Sequence, residues 1–587
     1  MSLIDELNEI VKKAFTECGY GAEGKLVKLS DRPDLSQFQC NAAFEKAKEL
    51  RVNPRQVANE IADKLRSNST FKDVSVAGPG FINLILEDEF LTKHVENNFS
   101  SFNIADYNNE KKKIIVDYGG PNVAKPLHVG HLRPAIIGES LKRLAKELGH
   151  EVIGDVHLGD WGRQMGMIIS EIKYRMPDLV YFDENYEGEY PEESPVSVDD
   201  LNEIYPTATA KAKEDEDRME EAREATSVLQ NEYKKGHRGY YALWKQLVKV
   251  SVEDLKKSYD KLDIHFELWK GESDCHKSIP EMIELLDKKN LIKVSEGATI
   301  VEVSEPDDKI EIPPVIIRTK SDSVGYQATE LATIYERMKE FNPDEIWYVV
   351  DGRQELHFTQ VFRAAYKSEI VPKDKKLYFA GFGTMNGKDG KPFKTRDGGV
   401  MRLSELLALT EETALKKIKN PEMSKEEIKK TAEIIADASI KYADAISNRT
   451  TDYVFDIDKF TDNTGKTGPY TLYSVVRINS LLKKAKEQGI TEGNLVLPTS
   501  NDELKVMLEI EKMPEAVINA YNDKALSEIV NYLFDLNSAY NNFYNNCRIL
   551  SEENKEKQGS WMKLSRIVGD INKKLLNIMA IRIPEKM

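Results

Sequence analysis

The sequence predicts an α/β protein: a doubly wound parallel-sheet domain, preceded by an α+β domain and followed by an all-α helical bundle. Three observations predict it. Residues 114–153 read as strand, loop, helix, strand, the opening of a parallel sheet, because adjacent parallel strands need a crossover connection. Strand-like runs at Val315–Arg318, Ile346–Val350 and Leu377–Phe382 then alternate with helical periods at Ala328–Lys339 and His357–Ala365, which carries the α/β pattern to about residue 400. After Glu412 almost every stretch has helical period, notably Ala525–Leu550 and Leu564–Ala580. The 587 residues leave room for about three to five domains. Boundaries are expected at 1–105, 106–411, 412–464 (a helical connecting region) and 465–587.

Taken in order, each element has a local cause. Leu3, Leu7, Ile10, Val11 and Phe15 recur at helical spacing among Asp5, Glu6 and Glu9, so the first residues read as an amphipathic helix and not a secretory signal. Across Val74–Leu86 two alternating strands flank the turn Gly78-Pro-Gly80. Beyond the polar stretch Asp106–Lys113, Ile114–Val116 is a short buried strand and Gly119-Gly-Pro121 a loop. Leu132–Leu148 is a helix with Ile137, Leu141, Leu144 and Leu148 on one face and Gly149 at its end, and Val152-Ile153 begins the second strand.

Composition narrows the class. Apolar residues make up 40% and charged residues 31%, and no apolar run approaches the ~18 residues of a membrane span. Four scattered cysteines (Cys18, Cys40, Cys275, Cys547) with no Cys-x-x-Cys pair argue for a reducing, cytoplasmic setting and against a structural zinc or disulfide framework. The net charge of −16 opposes an RNA partner only until it is mapped. Residues 178–224 hold 17 Asp/Glu against 4 Lys/Arg, whereas 465–587 hold 17 Lys/Arg against 15 Asp/Glu. The acidic stretch, Pro/Glu/Asp-rich at first and helix-like over Lys211–Glu224, reads as a solvated surface insertion lying away from any RNA.

The chemistry concentrates at the first strand–helix junction, Pro121-Asn-Val-Ala-Lys125-Pro-Leu-His128-Val-Gly130-His131-Leu-Arg133. Ligands bind there in parallel sheets, and a helix start favours phosphate through its free N–H groups and dipole. Two histidines three apart, with Gly130 leaving space between them, suit stabilisation of charge on a phosphoryl group.

These residues resemble the class I aminoacyl-tRNA synthetases, and the longer run resembles the arginine-specific members. His157-Leu-Gly-Asp-Trp-Gly-Arg-Gln164, Trp269-Lys-Gly-Glu272-Ser, Gly325-Tyr326, Arg353-Gln354-Glu-Leu-His357-Phe-Thr-Gln360 and Gly387-Lys-Asp-Gly-Lys391-Pro-Phe-Lys394-Thr-Arg396 are similar to further motifs of that family. The runs Ser36–Asn41, Asn53-Pro-Arg55 and Gly78–Asn83 resemble its extra N-terminal tRNA-binding domain, and the tail from Thr467-Gly-Pro-Tyr470 resembles its helical anticodon-binding domain. The resemblance implies a Rossmann-like catalytic domain that activates L-arginine with ATP and Mg2+ and transfers it to the terminal adenosine of tRNA(Arg). No protein-held metal or organic cofactor, no membrane and a monomer are expected.

The resemblance also implies roles. His128, His131, Lys391, Lys394 and nearby Lys125 are the catalytic candidates, and His128, Gly130, His131, Lys391 and Lys394 contact ATP. Arginine is expected to meet Gly120, Asn122, His131, Glu272, Tyr326, Glu330 and Gln354, since a five-donor guanidinium wants carboxylates. Two positions depart from the family pattern: Glu330 stands where aspartate is usual, and Gly119-Gly120 where serine is common. The lysine loop, Lys391-Pro-Phe-Lys394-Thr395, also differs from the common Lys-Met-Ser-Lys-Ser signature. For tRNA the candidates are Phe38, Asn83, Tyr470, Arg477, Tyr544 and Arg548, because unpaired bases are read by stacking and hydrogen bonding. Tyr532, Tyr540 and Tyr544 fall at helical spacing, so many of the tail aromatics read as core. The rivals are a cysteine-specific class I enzyme, which wants a zinc-binding cysteine set, a tRNA-independent nucleotidylyltransferase, and a non-catalytic RNA-binding relative.

Overall fold

The computed structural model describes residues 1–125, 127–320, 323–391, 393 and 401–587. They divide into two compact units, residues 1–109 with 463–576 and 583–587, and residues 110–462 with 577–582.

In the first unit, the Ser2 hydroxyl accepts the Asp5 N–H and starts helix α1 (Leu3–Glu17), which buries Leu3, Leu7, Val11 and Phe15. Strands β1 (Val27–Leu29) and β2 (Phe38–Cys40), helices α2 (Ala42–Leu50) and α3 (Pro54–Leu65), and strands β3 (Phe71–Ala77) and β4 (Phe81–Leu86) follow. The strands form an antiparallel sheet of order β1-β2-β4-β3. Gly78 and Gly80, both at positive φ, make the β3–β4 turn. Helix α4 (Asp88–Phe99) closes this stretch.

The second unit holds the parallel sheet. Strand β5 (Lys113–Tyr118) leads to α5 (Leu132–Glu147) and β6 (Glu151–Asp155). Gly149 ends α5 at positive φ, where the His150 N–H reaches back to the Ala145 carbonyl. Next come α6 (Arg163–Arg175), α7 (Val198–Glu214), α8 (Glu216–Gln230), α9 (His237–Lys261), α10 (Glu272–Cys275) and α11 (Ile279–Lys288). Strands β7 (Ile292–Ser295), β8 (Ala298–Val301) and β9 (Val315–Arg318) precede α12 (Tyr326–Phe341), β10 (Glu345–Val349), α13 (Glu355–Lys367) and β11 (Lys376–Phe379). The short β12 (Met385–Asn386), α14 (Leu403–Lys417), α15 (Lys425–Ile446), β13 (Tyr453–Val454) and α16 (Ile457–Phe460) complete the unit.

The parallel sheet has the order β11-β10-β5-β6. The chain leaves β5 for β6 on one side and reaches β10 on the other, so a crevice opens beyond the carboxyl ends of β5 and β10. Val315–Arg318 does not join this sheet. It pairs antiparallel with β8, in a three-stranded sheet ordered β7-β8-β9. Glu296 and Gly297, both at positive φ, make a tight β7–β8 hairpin that offers β9 a nearby edge.

The acidic stretch is also corrected. Residues 178–197 are mostly irregular and half-buried or exposed, but from Val198 the stretch is the helical pair α7–α8, which packs inward and buries Leu201, Ile204, Ala208, Ala222, Ala225 and Leu229. Asp215 interrupts the expected helix over 211–224, and its side chain accepts the Asp217 N–H to start α8. Three cations, Arg175, Lys211 and Arg218, converge on the buried Glu171 of α6. The acidity therefore clothes the outer face of a packed structure.

The first unit resumes with α17 (Gly468–Glu487), α18 (Asn501–Ile510), α19 (Met513–Asp523), α20 (Leu526–Asn546) and α21 (Lys555–Ile578). Within it, the buried His94 ring of α4 meets the Glu511 carboxylate at 2.7 Å, so the α4 end of the N-terminal segment and the helical tail pack as one body.

Candidate active site

At the crevice beyond β5 and β10 lies a cavity of about 270 Å³. Its lining includes Gly120, Asn122, Gly130, His131, Glu272, Tyr326, Glu330 and Gln354, so every expected arginine contact meets here. Asp117 and Tyr118 from the end of β5, His157, and Val349 to Asp351 beyond β10 complete much of the wall.

One end of the cavity is acidic. Tyr326, Glu330 and Arg337 lie on one face of α12, with Glu330 four residues after Tyr326 and Arg337 seven after Glu330. Arg337 is buried and bonds to Asp117 at 2.6 Å and Asp155 at 2.7 Å, joining α12 to the ends of β5 and β6. That pairing uses up the cation on this face, and Glu330 is left without a full positive partner. Burial first, then repulsion from Asp117, pushes the Glu330 carboxyl up to about 8. Glu272, at the first turn of α10, rises to about 7 through burial and repulsion from Asp160. Tyr326 leans on His357 at a centroid distance of 4.8 Å, and its hydroxyl rises mainly through burial. Two carboxyls that ionise reluctantly form a site that gains most from a bound cation.

The histidine pair reaches this cavity through His131, on which His128, not itself a lining residue, is stacked. His128 and His131 stack at 3.8 Å between centroids. The His131 Nδ1 accepts the His128 backbone N–H at 3.2 Å, and the His128 Nδ1 accepts the Gly130 N–H at 3.1 Å. Both rings thereby keep their proton on Nε2 and are left as donors to an anion. Burial lowers both, His131 to about 3, so they act as neutral donors. A Cβ on Gly130 would sit 2.9 Å from the His128 ring, so the glycine makes the stack possible. Behind the pair, Arg133 bonds to Asp444 at 2.8 Å and to the Gly383 carbonyl at 2.6 Å, pinning the start of α5 to α15.

Lys125 is close enough that its charge adds to burial in holding both histidines neutral. The Lys125 ammonium lies 4.3 Å above the Tyr205 ring of α7. Lys391 is exposed on a turn closed by the Gly387 N–H to its carbonyl at 2.8 Å. Lys394 lies outside the described residues.

A family model described as tRNA synthetases class I (R), catalytic domain, matches residues 94–457. The chain belongs to the class I arginyl-tRNA synthetase family. The family's N-terminal domain model matches residues 2–86, and the DALR anticodon binding domain model matches residues 471–587. The arginine–tRNA ligase of Alkaliphilus oremlandii is 46% identical, and that of Agathobacter rectalis 47% identical, each match covering all of both chains. Among solved structures, the arginyl-tRNA synthetase of Plasmodium falciparum superposes with a TM-score of 0.80 at 24% identity, over 100% of this chain and 99% of that one. That of Thermus thermophilus gives 0.81 at 19% identity, over all of both chains.

Set against the family pattern, the two departures acquire physical content. A Cβ on Gly120 would sit 2.5 Å from the His157 carbonyl, so serine has no room at this position here. Glu330 keeps the acid of the usual aspartate on the Tyr326 face, with a longer side chain.

The tRNA candidates divide. Phe38 is a core residue of β2 and Asn83 is buried in β4, bonded to Gln39 at 3.2 Å. These two are corrected: they hold the N-terminal sheet together and offer no surface to a base. Tyr532 and Tyr540 are buried as expected. Arg477 lies 4.8 Å over Tyr473 and 5.0 Å over Tyr544 and donates to Asn541 at 2.9 Å, while Tyr470 receives the Asn541 amide at 3.1 Å. Together with exposed Arg548 these residues cover α17 and α20.

Sequence reasoning missed Asp117, Asp155, His157, Asp160 and Arg337. A signal existed for three of them: an aspartate ends each apolar strand of the opening unit, and Arg337 follows Glu330 by seven residues on the same helical face. His157 and Asp160 lay within a recognised motif but carried no role.

Proposed function

We propose that this chain ligates arginine to tRNA(Arg) in two steps at the cavity between β5 and β10. The arginine carboxylate attacks the α-phosphorus of ATP, which arrives as its magnesium complex, and pyrophosphate leaves. A hydroxyl of the terminal adenosine of tRNA then attacks the carbonyl of arginyl-adenylate, and AMP leaves. Neither step needs a protein nucleophile, so positioning and charge stabilisation carry the catalysis.

Glu272 and Glu330 take the guanidinium, with Tyr326 against it. Asn122, Gln354 and the Gly120 backbone hold the amino and carboxylate end, placing the attacking oxygen toward the histidines. The Nε2–H groups of His128 and His131 donate to the phosphate oxygens as charge builds there. Lys125, Lys391 and Lys394 neutralise the departing pyrophosphate, which requires Lys125 to leave the Tyr205 ring. Tyr470, Arg477, Tyr544 and Arg548 meet unpaired bases of the anticodon stem-loop. The enzyme works as a monomer in the cytoplasm, a setting supported by four free cysteines.

The observation that carries this reading is the pair of reluctant carboxyls beside a stacked, neutral histidine pair. Pyrophosphate exchange with each amino acid, with and without tRNA, tests it. Exchange with arginine, dependent on tRNA, is expected. Strong exchange with cysteine and none with arginine would overturn it.

A further inference from the structure

Two segments that frame the acidic end are zipped together. The Leu158 N–H donates to the Lys270 carbonyl at 2.9 Å, and the Glu272 N–H returns to the Leu158 carbonyl at 3.0 Å. Between them Asp160, only 3% exposed, receives the Ser273 N–H at 3.0 Å and the Ser273 hydroxyl at 2.6 Å. A Cβ on Gly271 would lie 2.6 Å from the Asp160 carboxyl, so the glycine vacates the space that the carboxylate fills. Glu272 is therefore held by its chain, through its own N–H on Leu158 and through the neighbouring Ser273 on Asp160.

The loop is braced from behind. Trp244 of α9 donates its Nε1–H to the Asp160 carbonyl at 2.7 Å, and its ring meets that of Trp161 edge-on at 5.1 Å. Gln230, the last residue of α8, donates to the Trp161 carbonyl at 2.7 Å. The acidic helical pair thus ends on the loop that grips Glu272.

We propose that Asp160 is a positioning residue for Glu272, acting through Ser273, and that α8 supports arginine selection by bracing the loop that carries Asp160. The inference rests on the assignment of Glu272 to the guanidinium. Asparagine at 160 would keep both bonds to Ser273, accepting from the N–H and donating to the hydroxyl oxygen. The charge on Asp160 therefore acts separately from its hydrogen bonds. With Asp274 beside it and Glu330 facing from α12, it makes the pocket more negative and discourages ionisation of Glu272 until a cation arrives.

Steady-state pyrophosphate exchange with full-length enzyme and tRNA separates these contributions. Asp160→Ala is expected to raise KM for arginine ~10–100-fold while KM for ATP stays within ~2-fold, because a buried charge-assisted clamp is lost. Asp160→Asn should restore most of the affinity, and the acid limb of kcat/KM for arginine should move to lower pH because Glu272 no longer feels the Asp160 charge. Ser273→Ala and Gln230→Ala should each raise KM for arginine a few-fold, about 2–5-fold, by loosening one anchor. Equal rises in the KM of arginine and ATP, or an acid limb unmoved in folded Asp160→Asn, would overturn the proposal. If Asp160→Ala fails to fold, Asp160→Asn and Ser273→Ala still decide. Should Glu272→Gln leave KM for arginine unchanged, the reading of the site itself fails, whatever Asp160 does.

Discussion

The two ends of the cavity are built on opposite plans. At the acidic end the side chains are set before a ligand arrives, though their charges are not: Arg337 ties β5, β6 and α12 together, Asp160 grips the Glu272 loop, and Glu330 is buried and slow to ionise. At the histidine end the donors are neutral rings fixed by their own backbone. Lys125 rests over Tyr205 within electrostatic reach of both rings, and Lys391 lies on an exposed turn. The acidic end penalises an empty site and so favours a cation, whereas the histidine end offers hydrogen bonds without a charge on the rings.

The contrast can be broken by exchange kinetics. Replacing His128 by Ala removes a fixed donor to the developing phosphate charge, so kcat should fall ~10²–10³-fold with KM for arginine little changed. Glu272→Gln and Glu330→Gln should act on the opposite parameter, raising KM for arginine ~10–100-fold. A change below ~2-fold for Glu330→Gln alone would place the guanidinium on Glu272.

Acidity gives the next effect. In the free protein Glu330 sits near 8 and Glu272 near 7, both above the ordinary carboxyl value of 4.5. The ionised forms bind the cation, so lowering pH from about 8.5 to about 6 should raise KM for arginine, by about tenfold per pH unit for each proton that must leave. The same displacement has a stability consequence. These two carboxyls hold more protons in the fold than in the unfolded chain, so their contribution to stability is lost as pH rises through about 4.5 to 8, and it stands alone above about 6.5, where the buried histidines are neutral in both states. Arginine should offset the loss, its shift in Tm growing with pH. The smallest effect is expected at the other end. Tyr205→Ala frees Lys125 from a cation–π contact of ~0.5–1 kcal/mol and should lower KM for ATP about 2–5-fold.

Much of this was legible in the sequence because local patterns carried it. The 3.6-residue period of Leu132–Leu148 and its terminal glycine fixed α5 to within a residue, and His128-Val-Gly-His131 marked the phosphate end. What was hidden depended on long-range partners. Val315–Arg318 has the same strand pattern in either sheet, and only the Glu296-Gly297 hairpin decides which edge it joins. The acidity of 178–224 masked a helical pair because half of its buried positions are small alanines, weak in any hydrophobic pattern. Phe38 and Asn83 matched a tRNA-binding motif, yet a motif does not separate residues that touch RNA from those that hold the sheet behind it. Asp160 was visible as a letter but not as a clamp, since its partner Ser273 lies 113 residues away.

The central claim is that the pocket keeps its carboxyls partly protonated until a guanidinium displaces the protons. Calorimetric titration of the enzyme with arginine at neutral pH, in two buffers of different ionisation enthalpy, counts those protons directly. Release of about one proton or more per arginine bound is predicted from carboxyls near 7 and 8. Binding enthalpies that agree between buffers, meaning no proton released, would contradict the account.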